Sequence, residues 1–211
     1  MKLKHIQNYR IANTKLHCKF SEPIKKCYCT DIKRKLHYKN FCIHKKHNTT
    51  KEKKFTYTIF SSGFVNITGI KSFSETKEAL IYLCKLTNRN SESENTFKLL
   101  QEDKKIIADN ITVVGKLIRR IDYDFYLIDK LNKQEKTIYN TNYNLHFPGL
   151  FLRINNVIGT TVLFRSGYFT IVGTKCVADI HCMIQNLDVF MDKLFSTNTQ
   201  QQLFASCVDW Y

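Results

Sequence analysis

The sequence predicts an α+β fold made of two tandem repeats, each an antiparallel β-sheet carrying helices. Three observations lead there. The stretches "FSSGFVNITGIK" at 60–71 and "FRSGYFTIVGTK" at 164–175 spell one hairpin twice, 104 positions apart. Each copy is followed by a stretch of helical periodicity, "SETKEALIYLCKL" at 74–86 and "VADIHCMIQNLDVFMDKL" at 177–194. Strand-rich segments precede each copy in the same order, at offsets of 102 to 106, so the match is a duplication of about 100 residues rather than one recurring turn.

The elements follow in chain order. "IQNYRIAN" (6–13) reads as a strand and is matched by "ADNITVVG" (108–115), with Asn8 over Asn110. "HYKNFCIHKK" (37–46) is strand-rich and corresponds to "NLHFPGLFLRI" (144–154), Phe41 over Phe147; "KHNTTKEKK" (46–54) is a charged loop. In the hairpins Phe60 lies over Phe164, Ser62 over Ser166, Gly63 over Gly167, Ile67 over Ile171, Gly69 over Gly173 and Lys71 over Lys175. Alternation after the Ser-Gly turn puts Phe64, Asn66 and Thr68 on one face and Val65 and Ile67 on the other; in the second copy Tyr168, Thr170 and Val172 oppose Phe169 and Ile171.

The first helix is expected to open at Ser74, without a capping box because Lys77 stands three residues on, and with Glu75 favourable near the positive end of the dipole. The second carries Ile180, Met183, Ile184, Leu187, Phe190, Met191 and Leu194 at helical spacing. Residues 88–105 read as a polar linker with a short helical piece, and 196–211 as a tail that fits neither repeat. The expected division is a basic first repeat (1–87), the linker, a second repeat (106–195) and the tail.

Composition narrows the function. Hydrophobic content of 43% with 13% aromatics argues against wholesale disorder. No apolar run approaches the roughly 18 residues that span a bilayer, and "MKLKHIQNYR" has no apolar stretch behind it, so an intracellular soluble protein with no membrane partner is expected. The net charge of +15 is concentrated: residues 1–54 hold 16 Lys or Arg against Glu22, Asp31 and Glu52. Such a charge fits a polyanionic partner, or a lysine-rich surface written by an AT-rich genome.

Cys18, Cys27, Cys29, Cys42, His44 and His47 cluster in sequence, but C-x-C spacing without paired C-x-x-C motifs is poor for zinc, and neither metal nor cofactor is expected. Cys84, Cys176 and Cys182 sit among apolar residues and read as small core side chains. Asp122, Asp124 and Asp129 in "IDYDFYLID" read as a solvated strand rather than a metal site. No nucleophile–base set or phosphate loop appears, so neither an enzyme nor a small-molecule substrate is expected.

The groove-like chemistry of the repeated hairpin is its most specific feature. Asn, Thr and Val without a charge, flanked by Phe60 and Phe164, suit a flat and largely apolar partner better than water. The pattern F-x-S-G-x₅-G-x-K in two copies, an Asn opening each, and "FPGLFLR" at 147–153 resemble the core domain of the TATA-box-binding protein family across most of residues 6–194. The resemblance implies a pseudo-twofold saddle, with about five strands per half and helices on the convex face. It implies double-stranded DNA as partner, bound and kinked at an A·T-rich minor groove, of which this family is itself the known example.

Carried over by position, Phe41 and Phe60 look like the wedge pair of the first half, and Phe147 and Phe164 that of the second. Asn8 and Asn110 look like the central asparagines that donate to adenine N3 and thymine O2. Asn66, Thr68, Thr112, Thr170 and Val172 line the groove face, and Lys71, Arg153 and Lys175 reach phosphates. General transcription factors of the IIB and IIA type and the RNA polymerase machinery are the implied protein partners. The nucleus, or a viral transcription compartment, is the implied location.

Departures from the family are as informative. Asn66, Thr170, Arg10 and Thr112 stand where valines are usual, Val172 where threonine is, and Phe64 and Tyr168 where lysines follow the turn glycine. "YNLH" (143–146) replaces the acidic residues that help dock transcription factor IIB. Two alternatives therefore stand beside the DNA-bending reading. One is a TBP-like paralogue working mainly through protein contacts; the other is a basic RNA- or membrane-binding protein whose affinity resides in residues 1–54.

Overall fold

The computed structural model describes residues 3–19, 36–38, 41–47, 54–86, 106–134 and 138–196. Chain contacts divide it into two compact units, residues 11–111 and residues 1–10 with 112–211. The division cuts through two long strands, β1 (Ile6–Lys19) and β6 (Ile106–Leu117), which each contribute residues to both units.

The unit of residues 11–111 contains β2 (Leu36–Tyr38), β3 (Phe41–His47), β4 (Lys54–Phe60), β5 (Phe64–Ile70) and α1 (Phe73–Leu86). The strands run in the order β2-β3-β4-β5-β1, and every pairing given by register is antiparallel. Period-two alternation makes the core: Phe55, Tyr57, Ile59, Val65, Ile67 and Ile70 are buried against Ala79, Leu80 and Leu83 of α1. The Tyr57 hydroxyl donates to the Ala79 carbonyl at 3.0 Å, and burial pushes its pKa far above the ordinary tyrosine range. At the β4–β5 turn the Gly63 N–H donates to the Phe60 carbonyl with φ at 90°, a conformation that excludes most L side chains.

The other unit contains β7 (Tyr139–Tyr143), β8 (Gly149–Ile154), β9 (Thr160–Phe164), β10 (Tyr168–Thr174), α2 (Phe125–Gln134) and α3 (Val177–Leu194). Its order, β6-β10-β9-β8-β7, repeats the pattern of the first unit. Leu150, Leu152, Leu163, Phe169 and Ile171 are buried, as are all seven apolar positions singled out on α3. The second turn glycine, Gly167, has φ at 85°, and a Cβ there would sit 2.8 Å from the Arg119 carbonyl oxygen. The start of β1 is clamped to α3: the buried Asp188 carboxylate accepts from the backbone N–H of Lys4 and of His5, at 2.9 and 2.7 Å.

Three sequence expectations are corrected. α1 opens one residue earlier and is capped by Ser72, whose hydroxyl accepts from the Glu75 N–H at 3.3 Å while the Glu75 carboxylate accepts from the Lys71 N–H at 2.7 Å. Ser72 stands just before the first helical residue, Phe73, whereas Ser74 lies inside the first turn. Cys176 is exposed rather than core, and caps α3 by accepting from the Asp179 N–H while the Asp179 carboxylate accepts from the Lys175 and Cys176 N–H groups. "IDYDFYLID" is not a solvated strand: Asp124 accepts from the Tyr126 N–H to start α2, and Asp129 is buried, bonded to Lys133 and Thr141.

Cys18 is a buried member of the first core, Cys182 is half-buried, and no described helix is long and apolar enough to cross a membrane. Cys27, Cys29, the linker with its short helical piece, the charged loop at 48–53 and all of the tail beyond Ser196 lie outside the described residues.

Candidate nucleic-acid interface

Because one face of each sheet is covered by helix, the alternate positions form a second, open face. In the second repeat it is assembled in rows by strand register. Asn142, Phe151, Val162 and Thr170 are successive cross-strand partners, and Val172 faces Thr160. Arg153 is exposed at the end of the neighbouring row and donates from Nε to the Thr160 hydroxyl at 3.2 Å. Thr112, Thr170 and Val172 are half-buried on this face. None of these positions carries an acidic side chain.

The aromatics gather at one end. Gly149 is opposite Phe164, and a Cβ on it would come 2.7 Å from the Phe147 ring, so the missing side chain is what lets that ring lie down. The centroid of Phe147 is 5.0 Å from that of Phe151, stacked at 26°, and 6.2 Å from that of Phe164 at 54°. Phe147 and Phe164 thus lie together, and both are half-buried. Before them, the Asn144 side chain accepts from the His146 N–H and its carbonyl from the Phe147 N–H, a tight turn whose tip, Leu145, is 81% exposed.

In the first repeat Phe41 and Phe60 are direct cross-strand partners; Phe60 is half-buried, and the Phe41 side chain lies outside the described residues. The open face carries the row Thr58, Asn66, His17, with Ile43 in register beyond Thr58 and Thr68 paired to Thr56. Asn8 is exposed on the part of β1 that belongs to the second unit, while Asn110 is half-buried on the part of β6 that belongs to the first. Lys71 and Lys175 are exposed, not in the rows but at the strand-to-helix junctions, where the Glu75 and Asp179 carboxylates hold their backbone N–H groups. Those hydrogen bonds, from Lys175 first, hold the Asp179 carboxyl below the usual carboxylate range.

Sequence reading missed two groups on these faces. Lys116 of β6 places its ammonium 5.4 Å from the Tyr168 ring centroid, and in the first repeat Lys19 is the cross-strand partner of Phe64. A lysine therefore returns, from the neighbouring strand, beside Tyr168, the aromatic that stands after the second turn glycine. The second is His17, bonded to Asn66 and resting against Phe64. Only the cross-strand register reveals either, because the partners lie 49 and 52 positions apart.

The family model described as "Transcription factor TFIID (or TATA-binding protein, TBP)" matches residues 8–89 and 109–194. Among solved structures, TBP from Methanococcus jannaschii superposes with a TM-score of 0.62 over 88% of this chain and 99% of that one, at 18% identity. No curated protein sequence matches the chain.

Proposed function

The chain belongs to the TATA-binding protein family of non-enzymatic, DNA-binding transcription factors, and from that premise we propose that it binds and bends double-stranded DNA at A·T-rich promoter elements, nucleating assembly of the transcription machinery. The observation that carries this reading is the second open face: an uncharged Val and Thr centre ending in the Phe147, Phe151 and Phe164 cluster. On this reading the half-buried aromatic rings at the rim of a small-residue sheet enter between base steps, while the sheet covers the widened groove and excludes water. Unstacking costs a few kcal/mol per step and is offset by the contact area that a bend permits.

Sequence preference follows from the groove edge. A·T and T·A pairs present only acceptors there, whereas guanine adds an amino group that crowds a close-fitting sheet. Asn8 and Asn110 donate to those acceptors, and Phe41 with Phe60 supplies the wedge of the first repeat. Arg153, Lys71, Lys175 and Lys116 reach phosphates, contributing salt-dependent affinity without sequence information. The protein acts where promoters are transcribed, in the nucleus or a viral transcription compartment. Its contact with a factor of the IIB type differs from that of its relatives, because exposed Leu145 and His146 stand in place of acidic residues.

That same apolar tip favours the second reading, a paralogue working mainly through protein contacts. Fluorescence titration of A·T-containing and G·C-substituted duplexes at two salt concentrations separates them. Selective A·T binding that collapses in Phe147→Ala supports DNA bending; equal binding to both duplexes, unchanged in that variant, refutes it.

A further inference from the structure

The two open faces match in position but not in chemistry. Asn66 in the first repeat corresponds to Thr170 in the second, and Thr58 beside it to Val162. Asn66 also has a side-chain partner that no described residue supplies to Thr170: His17 is directly opposite Asn66 on β1, with Nδ1 3.1 Å from Asn66 Oδ1. An amide oxygen can only accept, so Nδ1 carries the proton and donates. The histidine is held in turn by the Phe64 ring, at 5.1 Å between centroids and 44° between planes. With its oxygen engaged, the Asn66 amide keeps its two N–H donors for whatever covers the sheet.

We infer that Asn66, oriented by His17, is a specificity-determining donor for one A·T pair in the half-site covered by the first repeat. The inference rests on the minor-groove reading above and deepens it. An N–H donor matches adenine N3 and thymine O2 and opposes the guanine amino group. Holding the amide before DNA arrives removes part of the ordering cost of binding. Thr170 has a single hydroxyl that no described residue orients in this way, so the second repeat reads its half-site by fit and the first by fit and a hydrogen bond. The bound complex therefore has a preferred direction on the DNA.

The experiment is an anisotropy titration of the full chain against an A·T-rich duplex in which 3-deazaadenine replaces adenine one position at a time, deleting one N3 acceptor. The wild type loses about three- to tenfold in affinity at one position of the first half-site, the worth of one net hydrogen bond. Asn66→Val and Asn66→Thr, the second repeat's own residue, abolish that penalty while binding the unmodified duplex with an unchanged salt slope. His17→Ala shrinks the penalty and His17→Gln, whose amide can donate in place of Nδ1, restores it; a merely structural role for His17 would not follow this order. If every variant retains the full penalty, or no position shows one in a wild type that still prefers A·T, the inference falls and the minor-groove reading stands. If the wild type shows no A·T preference at all, both fall.

Discussion

Phe164→Ala separates a wedge from a core residue, because Phe169, five positions on, provides the internal comparison. Phe164 is half-buried at the end of β9 and leans on Phe147 at 6.2 Å; Phe169 is 1% exposed, packed between sheet and helix. Truncating Phe169 empties a ring-sized volume in the core and costs about 3–5 kcal/mol of stability. Truncating Phe164 forfeits chiefly one aromatic pair, about 1 kcal/mol. On DNA the ranking inverts, because a ring stacked on a base is worth about 1–3 kcal/mol by alanine substitution, or about 5- to 150-fold in affinity. Urea denaturation followed by duplex titration of the folded fraction measures both quantities on the same samples. If Phe164→Ala is as destabilising as Phe169→Ala, the ring is core; if it is stable and binds like the wild type, it is no wedge.

Other expectations test the supports of the interface. Lys116→Ala weakens binding to all duplexes alike and lowers the slope of log affinity against log salt by about 1, as one phosphate contact requires. Asp188→Ala leaves the backbone N–H groups of Lys4 and His5 without their carboxylate, and urea denaturation reads a loss of about 3 kcal/mol. Asp179 has a folded pKa below its unfolded value, so its contribution is present above the ordinary carboxylate pKa and fades as pH falls through the depressed folded value. Asp179→Asn therefore lowers the thermal midpoint slightly at neutral pH, and the two proteins converge in strong acid.

Much of the fold was legible because its signals are local. Alternation of period two separates Val65 and Ile67 from Asn66 and Thr68 without knowledge of any partner strand, and the apolar stripe of α3 declares itself the same way. Errors arose where a local pattern had two readings. The aspartates and aromatics of "IDYDFYLID" alternate like a strand, yet Asp124 caps the turn that follows and Phe125, Leu127 and Ile128 are buried on a helix face. Ser74 and Ser72 are equally good caps by composition, and the hydrogen bond from the Glu75 N–H to the Ser72 hydroxyl distinguishes them. The duplication could have decided it, since Ser72 and Glu75 lie over Cys176 and Asp179, the same capping pair.

By itself, the sequence determined that the chain is a duplicated α+β protein and which residues of each hairpin face away from its helices. These properties depend on side-chain period and on repetition, and both are written along the chain. What stands beside what on the open faces comes from the folded sheets: His17 on Asn66, Lys116 over Tyr168, and Phe147 lying where Gly149 makes room. For the first two pairs, strand order and register bring together groups that lie dozens of residues apart, and no local pattern specifies either.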